Sequence, residues 1–298
     1  MQKESLVKTL PLKNIGPTVM SGRVVDLDVN PNNSIEFYVA YASGGLWYTN
    51  NNGTSFIPVM DNAETQNLGD IAVDWKTGTI WAGTGENNSS RSSYAGIGIL
   101  KSSDKGKTWH HMGFSDAHHT GRILLNPENP NEVTVGVLGH LYSPNAERGV
   151  YKTKDGGKTW SQTLYLNDQT GIIDLAQVPG NSNILYAAAW EKDRKAWDFL
   201  GNGSNSGIYK STDAGDTWQK ISVEGGGFPT DMNVGRIGLA VFDQNTIYAL
   251  LDNQGHREKS DSEKPDADKL TATDFKGMSK EAFLELDDKK LNAFLKAN

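Results

Sequence analysis

Ser102-Ser103-Asp104-Lys105-Gly106-Lys107-Thr108-Trp109 returns twice along the chain, as Thr153-Lys154-Asp155-Gly156-Gly157-Lys158-Thr159-Trp160 and as Ser211-Thr212-Asp213-Ala214-Gly215-Asp216-Thr217-Trp218. A worn copy precedes them at Thr49-Asn50-Asn51-Asn52-Gly53-Thr54-Ser55-Phe56, with Asn for Asp and Phe for Trp. The aromatic ends follow one another at intervals of about 50 to 58 residues, a period that marks a repeat architecture; one motif per unit of that length suits a propeller blade better than a helical solenoid. Residue chemistry accounts for the motif. Asp accepts bonds from nearby backbone N–H groups, Gly two places on takes the positive φ that closes a tight hairpin, and the flanking hydroxyls join the same network. Trp then opens the next strand with a large apolar surface. Asp104, Asp155 and Asp213, with Trp109, Trp160 and Trp218, therefore read as fold-makers, one set per repeat.

Working outward from these turns, short apolar runs recur in one order. Arg23–Val29, Glu36–Ala42, Gly45–Thr49 and Thr54–Met60 are four strands, called A to D, and the order returns from Gly69, Gly121 and Gly171. Four whole blades are readable over about residues 20–60, 69–115, 121–167 and 171–223. A fifth begins at Gly235–Val241 and Thr246–Leu251, but no third strand or repeat turn follows. The chain turns charged over His256–Lys269 and then helical from Ser279, a good N-cap, with Phe283, Leu284, Leu291, Phe294 and Leu295 near helical spacing. The reading is an all-β fold: an incomplete β-propeller of four-stranded antiparallel blades, about four and a half of them, with a short helical C-terminal tail. Residues 1–254 form the propeller and residues 255–298 the charged linker and helical insertion or tail. Ser5–Ile15 alternate weakly and predict one lone leading strand. The missing turn after Leu251 predicts the N-terminal part of a longer protein.

The bulk numbers agree with a large core. The chain has 298 residues, 37% apolar, with 32 glycines for its turns. Its formal charge of −7 leaves no basic stripe, so nucleic acid is not an expected partner. Cysteine is absent, which removes disulfide and thiolate chemistry. No stretch approaches the ~20 apolar residues of a membrane span. Met1–Lys8 lack the apolar region of a signal peptide, so the protein is cytoplasmic or its leader has been removed.

Strand bookkeeping sorts two faces. The repeated Asp turns are C–D connections and share one rim; the long B–C loops, residues 84–96, 139–149 and 191–207, gather on the opposite one. Long loops of this kind carry function or motion. The first offers Glu86, Asn87 and Arg91, the second His140 and Tyr142, the third Trp190, Glu191, Asp193, Arg194 and Trp197. Aromatic platforms edged by amides and carboxylates suit a glycan or peptide ligand; ordinary solvated loops, with Trp197 tucked into a neighbouring blade, are the equal alternative. Arg23, Arg122 and Arg236 each follow Gly at the entry to a strand A. They either clamp a carboxylate or, the favoured reading, pair with inner-strand acids such as Asp70 and Asp174. Glycoside hydrolysis needs two carboxyls about 5–5.5 or 6.5–9.5 Å apart, and the acids on offer are Glu86, Asp70, Glu191 and Asp193. His110-His111 and His118-His119 are adjacent pairs whose side chains diverge on an extended segment, so no metal is expected from either. No cofactor motif is present either.

The turns at Asp104, Asp155 and Asp213 resemble the Asp box of bacterial-neuraminidase-repeat propellers, a family that includes sialidases, xyloglucanases and sortilin-type receptors. Residues 10–253, through Ile15-Gly16-Pro17, Gly83-Thr84-Gly85-Glu86-Asn87, Glu147–Thr153 and Gly207–Ser211, look like the N-terminal propeller of large bacterial sortilin-like or glycosyl-hydrolase-like secreted proteins. That resemblance implies export, to the periplasm or outside the cell, and a second propeller beyond Asn298. The family's catalytic patterns are departed from. Arg122-Ile123-Leu124 and Arg236-Ile237-Gly238 lack the sialidase Arg-Ile-Pro, and Ser43 stands where xyloglucanases place an acidic base. The functional expectation is a propeller that binds a glycan or peptide on the face opposite the Asp turns, with a glycoside hydrolase and a protein-interaction scaffold as alternatives.

Overall fold

The computed structural model describes residues 22–255, 269–271, 274–275 and 278–297. The leading strand expected over Ser5–Ile15, and most of the charged stretch from His256, lie outside the described residues. Contacts divide the chain into residues 1–254 and 255–298.

The larger unit is a propeller arc of antiparallel blades. The first blade is β1 (Val24–Val29), β2 (Phe37–Tyr41), β3 (Gly45–Thr49) and β4 (Ile57–Pro58); the second is β5 (Leu68–Asp74), β6 (Thr79–Thr84), β7 (Ile99–Ser102) and β8 (His110–His111). The third runs β9 (Thr120–Leu125), β10 (Val133–Val137), β11 (Gly149–Thr153) and β12 (Ser161–Leu164). In the fourth, β13 (Thr170–Val178) and β14 (Asn181–Glu191) are followed by a small hairpin, β15 (Asp193–Arg194) and β16 (Phe199–Leu200), before β17 (Gly207–Ser211) and β18 (Gln219–Lys220) complete the sheet. A fifth sheet of two strands, β19 (Val234–Val241) and β20 (Ile247–Asn253), follows.

Alternation along each strand supplies both faces of each blade. On β14, Tyr186, Ala188 and Trp190 join Val234 and Ile237 in the core toward the fifth sheet, whereas Ala187 and Ala189 join Val150 and Ile172 toward the third blade. On β6, Ile80 and Ala82 face the first blade while Trp81 faces the third. Two-sided burial of this kind needs apolar residues at every position, which is why these strands read as continuous apolar runs.

The repeated turns have the geometry their chemistry dictates. Asp104 Oδ1 accepts from Ser102 Oγ (2.8 Å) and Thr108 N (2.9 Å), Oδ2 accepts from Thr108 Oγ1 (2.7 Å), and Ser102 Oγ accepts from Gly106 N (2.8 Å). Asp155 and Asp213 repeat the pattern. In the worn copy, Asn51 Oδ1 still accepts from Thr49 Oγ1 and Ser55 N, and its amide donates to Ser55 Oγ at 2.8 Å, where an Asp would accept. The bonds received from Thr108 hold the Asp104 carboxyl down at about 2, and the corresponding Thr217 bonds hold Asp213 at about 2. The residue before the glycine is also left-handed, Lys105 at φ 60° and Ala214 at φ 59°.

Blades are stitched at both radii. At the outer rim, Trp109 Nε1 donates to Val59 O (3.1 Å), Trp160 Nε1 to Met112 O (2.7 Å) and Trp218 Nε1 to Thr163 Oγ1 (3.1 Å), each into the preceding blade. At the axis the leading strands lie beside one another. Asp26 accepts from Ile71 N, Asp70 from Ile123 N and Asp174 from Leu239 N.

In the C-terminal unit, Ser279 caps α1 (Lys280–Leu284) by accepting from Ala282 N, and α2 (Asp288–Ala297) follows. Phe275 packs its ring on Phe283 and Phe294.

Candidate functional site

Each leading strand carries a register irregularity at its entry, at Val24/Asp26 in β1, Leu68/Asp70 in β5, Ile172/Asp174 in β13 and Val234/Ile237 in β19. A bulge places an extra residue outside the ladder and re-aims its side chain. Val25, Gly69, Ile173 and Arg236 all fall at these irregularities, and all four line one depression of about 210 Å³ at the axial mouth, on the face opposite the Asp turns. Arg23, Glu86, Asn87, Asn88 and Arg122 complete its rim. The space is below the roughly 300–1,000 Å³ of a drug-sized pocket and suits one sugar ring or a comparable polar group.

The three arginines meet different fates. Arg23 makes a two-pronged contact with Glu86, 2.7 Å from Nε and 2.6 Å from Nη2. Arg122 lies among three acids, 2.6 Å from Asp70 Oδ1, 3.0 Å from Asp174 Oδ1 and 3.5 Å from Asp26 Oδ1. Burial pushes the Asp70 carboxyl up against the pull of Arg122. Its oxygens nevertheless accept from a guanidinium and from the Ile123 amide, donors that cannot reverse, so the pair is ionic. Arg236 has no carboxylate within ion-pair distance among the described residues; its guanidinium lies 5.7 Å from the Trp190 ring.

The acids considered for hydrolysis are all engaged. Asp70 and Glu86 are each 2% exposed and ion-paired. Glu191 accepts from the backbone and side-chain nitrogens of Asn205 (2.9 and 3.0 Å), and Asp193 binds Lys195 (2.8 Å).

The aromatic platform differs from the expected one. Trp190 is buried, its Nε1 donating to Gly201 O at 2.8 Å and its ring edge-on to Phe199, because β14 alternation turns it into the core toward the fifth sheet. It offers no stacking face to solvent. Trp197 is instead 86% exposed at the tip of the β15–β16 hairpin, rather than tucked into a blade. Arg194 covers the Phe199 ring at 4.9 Å. Tyr142 is half exposed and donates to Arg91 O at 2.8 Å, tying two B–C loops together, and the Asn87 amide donates to Gly121 O. Asn87 Oδ1 is buried without a partner.

Beneath these loops lie further buried groups, of which the sequence singles out only the His118-His119 pair. His119, 1% exposed, meets Glu86 O at 2.9 Å through Nδ1, which must therefore donate; desolvation lowers it to about 3, so it stays neutral. Arg148, buried, donates to Leu138 O and His140 O, and Lys192 Nζ to His140 O at 3.0 Å. Burial brings Lys192 down to about 7. His118 has φ 60° rather than an extended backbone, and its ring stacks at 4.0 Å on His140 of the next blade, beside Asp116.

No family model matches the chain. It is 26% identical over 179 residues to the "Probable oligoxyloglucan-reducing end-specific xyloglucanase" of Neosartorya fischeri, covering 53% of this chain and 20% of that protein. It is 24% identical over 235 residues to a xyloglucanase of a Paenibacillus species, covering 70% of this chain and 22% of that one. Among solved structures, an ancestral GH74 enzyme superposes with a TM-score of 0.56 at 22% identity, over 77% of this chain and 29% of its own. The chain thus spans about a fifth of the length of these curated relatives. The structural likeness shows the fold, a β-propeller of the kind found in glycoside hydrolases.

Proposed function

We propose that this propeller binds a glycan at the axial mouth and the surrounding B–C loops, on the face opposite the repeated Asp turns. The observation that carries the reading is the polar depression rimmed by Arg23, Glu86, Asn87, Asn88, Arg122 and Arg236. Arg236 there has no ion-pair partner among the described residues, and a buried Asn87 oxygen has no hydrogen-bond partner. Fixed donors and acceptors of this kind match sugar hydroxyls, and the exposed Trp197 ring offers an apolar sugar face a place to stack. The likeness to xyloglucanases supports a saccharide over a peptide. The resemblance of its turns to the Asp box supports the same propeller family, and with it an exported protein that works beside a second propeller.

Glycan-array profiling of the chain with Arg236→Ala and Trp197→Ala tests the reading. One glycan class retained by wild type and weakened at least tenfold by Arg236→Ala is the expected result; equal profiles for all three proteins overturn it.

A second reading, a glycoside hydrolase acting with further blades, is supported by the names of the relatives. Against it, the four candidate acids are each committed to a cation or an amide. Release of reducing ends from xyloglucan by this chain, abolished in Glu86→Gln, is the outcome that favours it.

A further inference from the structure

Away from the axial mouth, the loop between β8 and β9 meets the B–C loop of the third blade in a cluster of chemistry-bearing groups that the glycan reading does not use. Asp116 and His118 come from the first loop and His140 from the second, and one ligand atom from each lies within 4.8 Å of the other two. His140 Nε2 stands 3.5 Å from Asp116 Oδ1 and also against the Asp116 carbonyl, while its Nδ1 is 2.7 Å from Ser143 Oγ. Four-coordinate zinc holds nitrogen and oxygen at about 2.0–2.2 Å, which puts neighbouring ligands about 3.3–3.5 Å apart. The Asp116–His140 separation already has that value, and a His118 ligand atom lies within 4.8 Å of both.

Two further polar side chains border the cluster. Glu147 has its Oε2 buried with no partner. Asn145, 6% exposed, contacts His140 Nε2 (3.3 Å) and Asp116 through its amide nitrogen, and its oxygen is buried without a partner. Carboxylates, a carbonyl and two stacked imidazoles thus converge, with the Asn145 amide donating into the same cluster. Ser143 stands behind His140 as an outer partner that fixes a ligating ring, and the left-handed backbone at His118 turns its ring toward His140.

We propose that Asp116, His118 and His140 bind one zinc-type divalent cation, with the Glu147 carboxylate beside it, tying the second blade's exit loop to the third blade's B–C loop. Two imidazole ligands with a carboxylate favour a borderline metal over magnesium or calcium, which prefer all-oxygen shells. The observations behind it are separate from those behind the glycan reading, although His140 and Glu147 sit on one of the same B–C loops.

Titration of the chelator-treated, dialysed chain with ZnCl2 by calorimetry tests it, with Co2+ as a spectroscopic probe. One equivalent of Zn2+ binds, and Co2+ gives the intense visible bands of a four-coordinate ion. His118→Ala with His140→Ala weakens zinc at least a hundredfold and removes the bands; Asp116→Asn weakens it about tenfold; His110→Ala with His111→Ala changes neither. Near-ultraviolet circular dichroism identifies any variant that fails to fold, and for such a variant each single histidine replacement is read instead. Absence of stoichiometric zinc binding by wild type overturns the proposal, as does binding unchanged by the His118/His140 replacements or abolished equally by the His110/His111 pair.

Discussion

Replacing Arg122 with Leu tests what holds the axis together. The guanidinium lies 2.6 Å from Asp70 and 3.0 Å from Asp174, and the Asp70 carboxylate is 2% exposed. Breaking a buried pair by removing one partner costs about 3–5 kcal/mol, because the remaining charge stays buried and unpaired. Arg122 itself is 39% exposed, so part of its attraction is already screened, and the lower end, about 3 kcal/mol, is the expected loss at neutral pH. The pH dependence has a definite sign. Burial drives the Asp70 carboxyl upward and only Arg122 and the Ile123 amide resist it substantially. In the variant its folded pKa therefore lies above the unfolded value of about 3.9. The penalty is present in full above the folded pKa and shrinks as pH falls through it, since the folded state then takes up the proton. Urea unfolding of both proteins at pH 7.5 and 5.0 reads the difference. A loss under about 1 kcal/mol at neutral pH, or one that grows on acidification, would refute the argument.

Further predictions concern the turns and the buried lysine. In Gly157→Ala the new Cβ meets Trp81 at 2.7 Å and Met112 at 3.0 Å at φ 92°, and a loss of about 2–4 kcal/mol is expected; Gly180→Ala, at φ 74° with nothing within 4 Å, loses only the backbone cost of about 1–2 kcal/mol. Equal midpoint shifts in urea for the two would contradict this. Trp160→Phe keeps most of the apolar contact but leaves Met112 O without its 2.7 Å donor, for a loss of about 1 kcal/mol by the same assay. Asp104 and Asp213, held at about 2, contribute stability that is present above the unfolded value near 3.9 and is lost as pH falls from about 4 toward 2, so Asp213→Asn should flatten the acid limb of a thermal-melt profile. Lys192, lowered to about 7, binds its proton more tightly when unfolded; stability should rise from pH 7 toward 10, and Lys192→Met should abolish that rise.

The blades were legible because their determinants are local. A turn in which Asp, Gly and Thr bond within five residues can be read wherever it recurs, and even Asn51 reproduces it. The left-handed residue before each glycine was less legible, since Lys105 and Ala214 give no sign of it. Trp190 lies within a charged loop sequence, yet the alternation Tyr186, Ala188, Trp190 assigns it to an inner face. Contacts between blades that run through loops were out of reach. Arg23 finds Glu86 63 residues away, and His118 finds His140 rather than its neighbour His119, because bulges and loop conformations set which side chains converge. The acid partners of Arg122 were within reach, since successive leading strands carry Asp at matching positions.

Hydrogen–deuterium exchange of the chain with and without its best array glycan tests the binding-face claim most directly. Protection is predicted at residues 85–91, 139–149, 191–206 and 232–238, with none at the turns 103–108, 154–159 and 212–217. Protection confined to those turns, or spread over both rims alike, would contradict it.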